Sequence, residues 1–305
     1  MSQLSRRAWT VVAVVALSGI VAGTALAAFP GRNGKIVFAS TRTGSNQLWT
    51  MDAKGSKPKR LTRAAAEDSN PSVSRDGRWV VYEQLGRRSR TRELYVVRID
   101  GRKRGRVTRN STNDAAPSWA PDNQRIAFRS DRDGDPEIYV TRRNGTGLKQ
   151  LTSNELVADD DPKFSPDGRR IAFLSRRTGN SEIFVMNADG SSPTQLTNDP
   201  AIDALPTWSP DGRRIAFESR RAGSSDIWIM NADGSRLKQL TKGGAEERFP
   251  AFSPNGRSIA YERRTGPRAR PAIWTMATSG AKRRRLTNLR SSNGTPDWAR
   301  AQKRR

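Results

Sequence analysis

Pro162-Lys-Phe-Ser-Pro-Asp-Gly-Arg-Arg-Ile-Ala-Phe-Leu-Ser175 returns almost unchanged from Pro206 to Ser219. Looser copies start at Pro71, Pro117 and Pro250, and a fragment starts at Pro296. The marker prolines are 44 to 46 residues apart, the period of a four-stranded propeller blade. A chain of 305 residues would otherwise suggest two domains; a repeat of this length makes each unit a fraction of one domain.

The unit from Pro206 shows the local logic. Thr207–Ser209 reads as a short strand, and Ser209-Pro-Asp-Gly212 as a turn in which proline presets φ and glycine takes a positive φ. Arg214–Glu218 and Asp226–Met230 read as the second and third strands, and Lys238–Thr241 as the fourth. Nothing has helical period, so the fold class expected is all-β, a six-bladed propeller. The units are 31–70, 71–116, 117–161, 162–205, 206–249 and 250–295. The first lacks its first strand, and residues 295–298 at the other end supply one. The C-terminal strand should therefore close the ring by joining the first blade. Residues 299–305 form a basic tail.

Two apolar columns recur in every unit. Trp49, Tyr95, Tyr139, Phe184, Trp228 and Trp274 lie on third strands; Val73, Trp119, Phe164, Trp208, Phe252 and Trp298 lie two after each proline. Repetition in every unit is what packing between blades requires, so both columns are assigned to the core.

The repeat resembles the TolB-type β-propeller repeat, a relative of the WD repeat, from Gly31 to about Trp298. The resemblance implies an exported, periplasmic protein that binds other envelope proteins. TolB proteins carry an extra domain ahead of the propeller, whereas here the propeller follows an export signal directly. Similar propellers precede the hydrolase domain of prolyl-oligopeptidase-like enzymes, but no Gly-x-Ser-x-Gly is present and no histidine exists to complete a triad. Oligogalacturonate lyases also resemble such propellers and bind metal through histidines, which this chain lacks.

Composition narrows function further. No Cys removes disulfides and thiolate chemistry, and no His removes the commonest general base. Arg6 and Arg7, the apolar run from Val11 to Val21, and Ala25-Leu-Ala27 read as a signal peptide over residues 1–27 cleaved near Ala27, the rival reading being an uncleaved membrane anchor. Ser5-Arg-Arg-Ala-Trp9 resembles a twin-arginine motif, which leaves the export route open between that and the general secretory one.

Counting three back from each marker proline finds Asp68, Asp114, Asp159, Asp203, Glu247 and Asn293. These should ring the channel mouth on the face of the longer loops, where binding usually sits. Like charges so placed need compensation. Either a bound cation or a partner's amine or Arg supplies it, or the same-face Arg42, Arg132, Arg177 and Arg221 do. Asp131, Asp133 and Asp135 alternate like a Ca²⁺ loop but lack its distal Glu, so no cofactor is expected and Ca²⁺ is the one worth testing.

The formal charge is +25, and it is one-sided. The sixth, first and second units with the last ten residues carry +24, and the other three units carry −1. Arg87, Arg88, Arg90, Arg102, Lys103, Arg104, Lys282, Arg283, Arg284 and Arg285 supply much of this. Such a sector should hold polyanions in a salt-dependent way. For an exported chain these are anionic lipid or cell-wall polymer rather than nucleic acid. The expectation is a monomeric, non-catalytic binding or scaffold propeller at the envelope; the rival is a carboxylate- or metal-dependent hydrolase or lyase at the channel mouth.

Overall fold

The computed structural model describes residues 31–64, 66–86 and 90–302. The signal-like segment, Arg87, Arg88 and Lys303–Arg305 lie outside the described residues. Every regular element described is a strand, and the strands form six antiparallel sheets of four. In the fifth blade they are Asp203–Trp208, Arg214–Ser219, Asp226–Asn231 and Lys238–Gln239, with the first innermost. The inner strand thus begins four residues earlier than the repeat suggests.

The ring closes as expected. Asn293–Arg300 pairs with Asn33–Thr43 and becomes the inner strand of the first blade, extending past residues 295–298 on both sides. Six apolar clusters hold the ring, one at each interface between blades. Between blades four and five, Ala172, Ile183 and Val185 meet Trp208, Ile215, Phe217 and Met230. Between six and one, Ala260 and Ile273 meet Ile36, Phe38, Met51 and Trp298. Both aromatic columns fall in or against these clusters, which is the packing role given to them above.

Each inner strand carries a one-residue bulge at the residue before its marker proline. Asn70, Ala116, Asp161, Leu205, Phe249 and Thr295 all have φ between 45° and 54° there, although none is glycine. In blade five, Thr207 faces Ala216 and Ala204 faces Glu218, so Leu205 and Pro206 together oppose Phe217. The bulge puts Asp203 and Trp208 on one face of the sheet, where simple alternation would put them on opposite faces.

The turns between strands one and two and between three and four share one face. Ala188 N donates to Arg169 O at 2.9 Å, tying one kind of turn to the other. Gly190 in blade four has φ +97°, and a Cβ there would meet Leu151 O of blade three at 2.4 Å. The turn glycine therefore serves both the local conformation and the close approach of neighbouring blades. The opposite face carries the longer loops and the starts of the inner strands.

Candidate functional site

The six residues counted back from the prolines do sit at the long-loop end of the inner strands. Their side chains, however, are buried: Asp68, Asp114, Asp159, Asp203 and Asn293 are 0% exposed and Glu247 is 1% exposed. They point into the seam with the preceding blade and not into the opening, because the bulge sets their face.

Arginines cover them. Arg132 Nη2 lies 3.0 Å from Asp114 Oδ1, Arg177 Nη2 lies 2.8 Å from Asp159 Oδ2, and Arg221 Nη2 pairs with Asp203 Oδ2. In blade one the acceptor is an amide: Arg42 Nη2 donates to Asn293 Oδ1 at 3.0 Å. The guanidiniums also lie over the third-strand aromatics, at 4.6 Å from Trp49, 4.8 Å from Tyr139, 5.0 Å from Phe184 and 5.0 Å from Trp228. Each arginine therefore bridges a buried acceptor and an electron-rich ring face.

Blades two and six reach the same end by other residues. Arg263 stands opposite Glu247 in the ladder, where blades one, three, four and five have serine, and forms a 3.0 Å ion pair with it. It also lies 4.9 Å from the Trp274 ring. In blade two, Gln84 Nε2 donates to Asp68 Oδ1 at 2.6 Å, and Arg104 Nη2 donates to Gln84 Oε1 at 2.9 Å. Arg104 comes from the far side of the blade and stacks 4.1 Å from Tyr95.

The sequence reading missed Arg263 and Gln84, and it missed a second buried column at the start of the third strands: Glu93, Glu137, Glu182 and Asp226. These accept from the repeated Leu-Thr threonines: Thr108 at 2.6 Å, Thr197 at 2.5 Å and Thr241 at 2.9 Å, with Thr152 donating to Glu137 likewise. The threonine oxygen in turn accepts the next backbone N–H, as from Ile183 at 2.9 Å. The recurring Thr was the available signal, since a buried hydroxyl needs a partner.

Two layers of acids in one seam make burial expensive. One oxygen each of Asp68, Asp159, Asp203 and Glu247 is buried without a hydrogen-bond partner among the described residues. Burial pushes Asp68 and Asp203 above the usual carboxylate range, against the pull of nearby donors. It pushes Glu247 up to about 7 despite Arg263 beside it. Glu262, which reaches from blade six to the closing strand, is likewise pushed up to about 7 by burial.

The axis holds a cavity of about 180 Å³ on the tight-turn side of the bulges, lined by residues of all six inner strands. Its charged walls include Asp161, Lys163 and Asp297. Asp161 is pushed up to about 8 by burial and then by Asp160, and Asp297 up to about 6 by burial.

Of the Ca²⁺-loop residues, Asp133 and Asp135 converge with Glu137, with ligand atoms within 4.8 Å of one another. Asp131 is not in that group; it pairs with Arg129 at 2.6 Å. Glu137 already accepts from Thr152, Asn154 N at 2.6 Å and Asn154 Nδ2 at 2.9 Å.

The basic residues divide between the faces. Arg90 lies in the loop after the second strand of blade two, on the long-loop face. Arg102, Lys103 and Arg104, and Lys282, Arg283 and Arg284, lie around turns between third and fourth strands, on the tight-turn face; Arg285 ends the short fourth strand of blade six. Arg283 is partly committed, donating to Leu240 O at 2.7 Å.

Six four-stranded blades, sealed by pairing the last strand with the first and carrying an arginine cap in each seam, define a β-propeller with its chemistry buried between repeats. A family profile described as the TolB β-propeller domain matches residues 84–160 and 146–304, and the chain belongs to that family. It is 30% identical over 118 residues to the Tol-Pal system protein TolB of Desulfosudis oleivorans; the match covers 39% of this chain and 26% of that protein. The chain thus spans about a quarter of the length of that relative. TolB from Acinetobacter baumannii superposes with a TM-score of 0.76 at 25% identity, covering 87% of this chain and 66% of that one. The putative TolB from Agrobacterium tumefaciens gives 0.70 at 23% identity, covering 86% and 91%.

Proposed function

We propose that the chain is an exported, non-catalytic propeller that binds a protein or peptide partner at the cell envelope through its long-loop face. The carrying observation is the contrast on that face between what is buried and what is offered. The acids counted back from the prolines lie beneath arginines or, for Asp68, beneath Gln84. Leu156 (95% exposed), Ile202 (42%) and Leu289 (48%) stand out on the loops leading into three inner strands. Isolated exposed apolar residues are ordinary, but three on one loop face suit a protein contact. The TolB relatives and the signal-like N-terminus support the envelope setting. The basic sector of blades six, one and two adds a contact for anionic envelope material. The hydrolase or lyase reading gains nothing from acids arranged this way.

The test is capture from an envelope extract with the chain from Ala28 as bait. Neutralising buried acids (Asp159→Asn with Asp203→Asn) should leave capture intact in folded protein. Leu156→Ser with Ile202→Ser should abolish it while the melting temperature holds. Capture that survives the loop changes and disappears with the acid changes would overturn the proposal.

A further inference from the structure

The turn between third and fourth strands has the same shape in all six blades. Two residues after the glycine that recurs in each of these turns comes a left-handed position: Lys57 (φ 53°), Lys103 (50°), Gly147 (66°), Ser192 (53°), Arg236 (55°) and Lys282 (56°). L residues enter this region at a cost, and glycine does so freely. Blade three uses glycine. Blades six, one and two, which are neighbours in the closed ring, all place lysine there.

All three lysines are exposed, and each tops a basic turn. Lys54 and Lys59 flank Lys57, Arg102 precedes Lys103, and Arg283 follows Lys282, while the Arg104 guanidinium is turned inward onto Gln84. The residue just before the turn glycine is Asp189 in blade four and Asp233 in blade five, but Lys54 in blade one and Ser279 in blade six. Blade two keeps Asp100 before its glycine and blade one carries Asp52 three before its own, so of the three basic blades blade six is the one without a carboxylate in this turn. Blade five places Arg236 and blade four Ser192 at the same left-handed position, so what sets blades six, one and two apart is lysine there on three adjoining blades of high positive charge.

Both chain ends leave from the middle of this patch. Asn33 pairs with Arg300, and Ala301 N donates to Arg32 O at 2.9 Å. Gln302 Nε2 then donates to Gly77 O at 3.0 Å on the same face. The 30 residues ahead of Gly31 contain the apolar run, and Lys303-Arg304-Arg305 follows Gln302.

We propose that the tight-turn face of blades six, one and two lies against an anionic lipid bilayer, with Lys57, Lys103 and Lys282 as its leading contacts. The partner-binding loops then point away from the membrane. The described ends of the chain, Gly31 and Gln302, thus stand on that same face. Lipid is favoured over a soluble polymer because flat, spread-out charge matches lysines on separate blades better than one strand of phosphates does. The proposal rests on the export reading for its biological setting only; the binding itself is measured without it.

The ring closes within residues 33–300, so the chain from Ala28 is a self-contained fold for the test. It is floated with vesicles of phosphatidylcholine, alone or with about a third phosphatidylglycerol. Binding should require the anionic lipid and fall steeply from low to high salt. Lys57→Gly, Lys103→Gly and Lys282→Gly combined should weaken it roughly a hundredfold, at about fivefold per lysine near the surface. Because glycine suits these turns, melting should hold or rise, which separates lost binding from lost fold. Equal binding to neutral vesicles, or undiminished binding by the triple variant, would overturn the proposal. So would competition by soluble polyphosphate at a matched phosphate concentration that strips the protein from vesicles completely, since that assigns the patch to a polymer. Failure of vesicle binding would leave partner capture by the loop face untouched, and the reverse also holds.

Discussion

Arg177→Ala is the sharpest probe of the arginine caps. The wild-type guanidinium donates to Asp159 Oδ2 at 2.8 Å and, through Nε–H, to Ser175 Oγ at 2.8 Å, and it lies 5.0 Å from the Phe184 ring. Its removal leaves Asp159 at 0% exposure with Asn154 Nδ2, at 3.3 Å, as its other side-chain donor. Breaking a buried pair from one side costs about 3–5 kcal/mol. Arg177 is itself about a quarter exposed, with a side-chain exposure of 24%, so water can follow it in. The low end applies: about 3 kcal/mol, or roughly 6–10 °C in melting temperature for a domain of this size.

The molecule carries its own control. In blade one the buried acceptor is Asn293, and Arg42 still bonds it at 3.0 Å. Asp159→Asn should therefore copy a geometry the fold already tolerates and cost about 1 kcal/mol or less. The double variant should cost less than Arg177→Ala alone, because no buried charge is stranded. Denaturant unfolding of the four proteins in a cycle measures the coupling. The reasoning is refuted if Arg177→Ala costs under about 1 kcal/mol, or if Asp159→Asn costs as much as Arg177→Ala.

Three further outcomes follow from the same structure. Trp298→Ala should cost about 3–5 kcal/mol by denaturant melting, because the ring is 7% exposed and packs across the seam that closes the propeller; a cost below about 1 kcal/mol would refute the closure role. Stability should fall as pH rises from 5 to 8, because Glu247 and Glu262 at about 7 and Asp297 at about 6 bind protons more tightly folded than unfolded. That contribution is full below the ordinary carboxylate range and is lost as pH climbs through the folded values, so Glu262→Gln should flatten the slope in a melting series; a flat wild-type profile would contradict it. Excess Ca²⁺ should leave the melting curve unmoved, since Glu137 is already engaged by Thr152 and Asn154, and an upward shift reversed by chelator would show that Asp133, Asp135 and Glu137 hold the ion.

The fold was legible because the repeat writes it out six times. Period, turn chemistry and the missing first strand together required a ring closed by residues near Trp298. The buried site was half legible. Counting back from proline locates Asp203 along its strand, but not on which face it lies. Face follows alternation, and the bulge at Leu205 reverses alternation between Trp208 and Asp203. No residue type announces that bulge, since Asn, Ala, Asp, Leu, Phe and Thr all occupy it. Arg263 escaped notice for a related reason: it sits two positions earlier in its unit than Arg221 does, yet its long side chain reaches an equivalent place. Arg104 reaches the cap from the other end of the blade, which sequence spacing cannot convey.

Pairing Asn33–Thr43 with Asn293–Arg300 also orders events in time. A ribosome makes the first of these strands at the outset and the second nearly last, with more than two hundred residues between them. Until the final residues appear, blade one lacks its inner strand, and Ile36, Phe38 and Met51 lack Trp298. Such long-range pairing is slow to form and leaves sheet edges open meanwhile. Ring closure therefore has to wait until Asn293–Arg300 has been made.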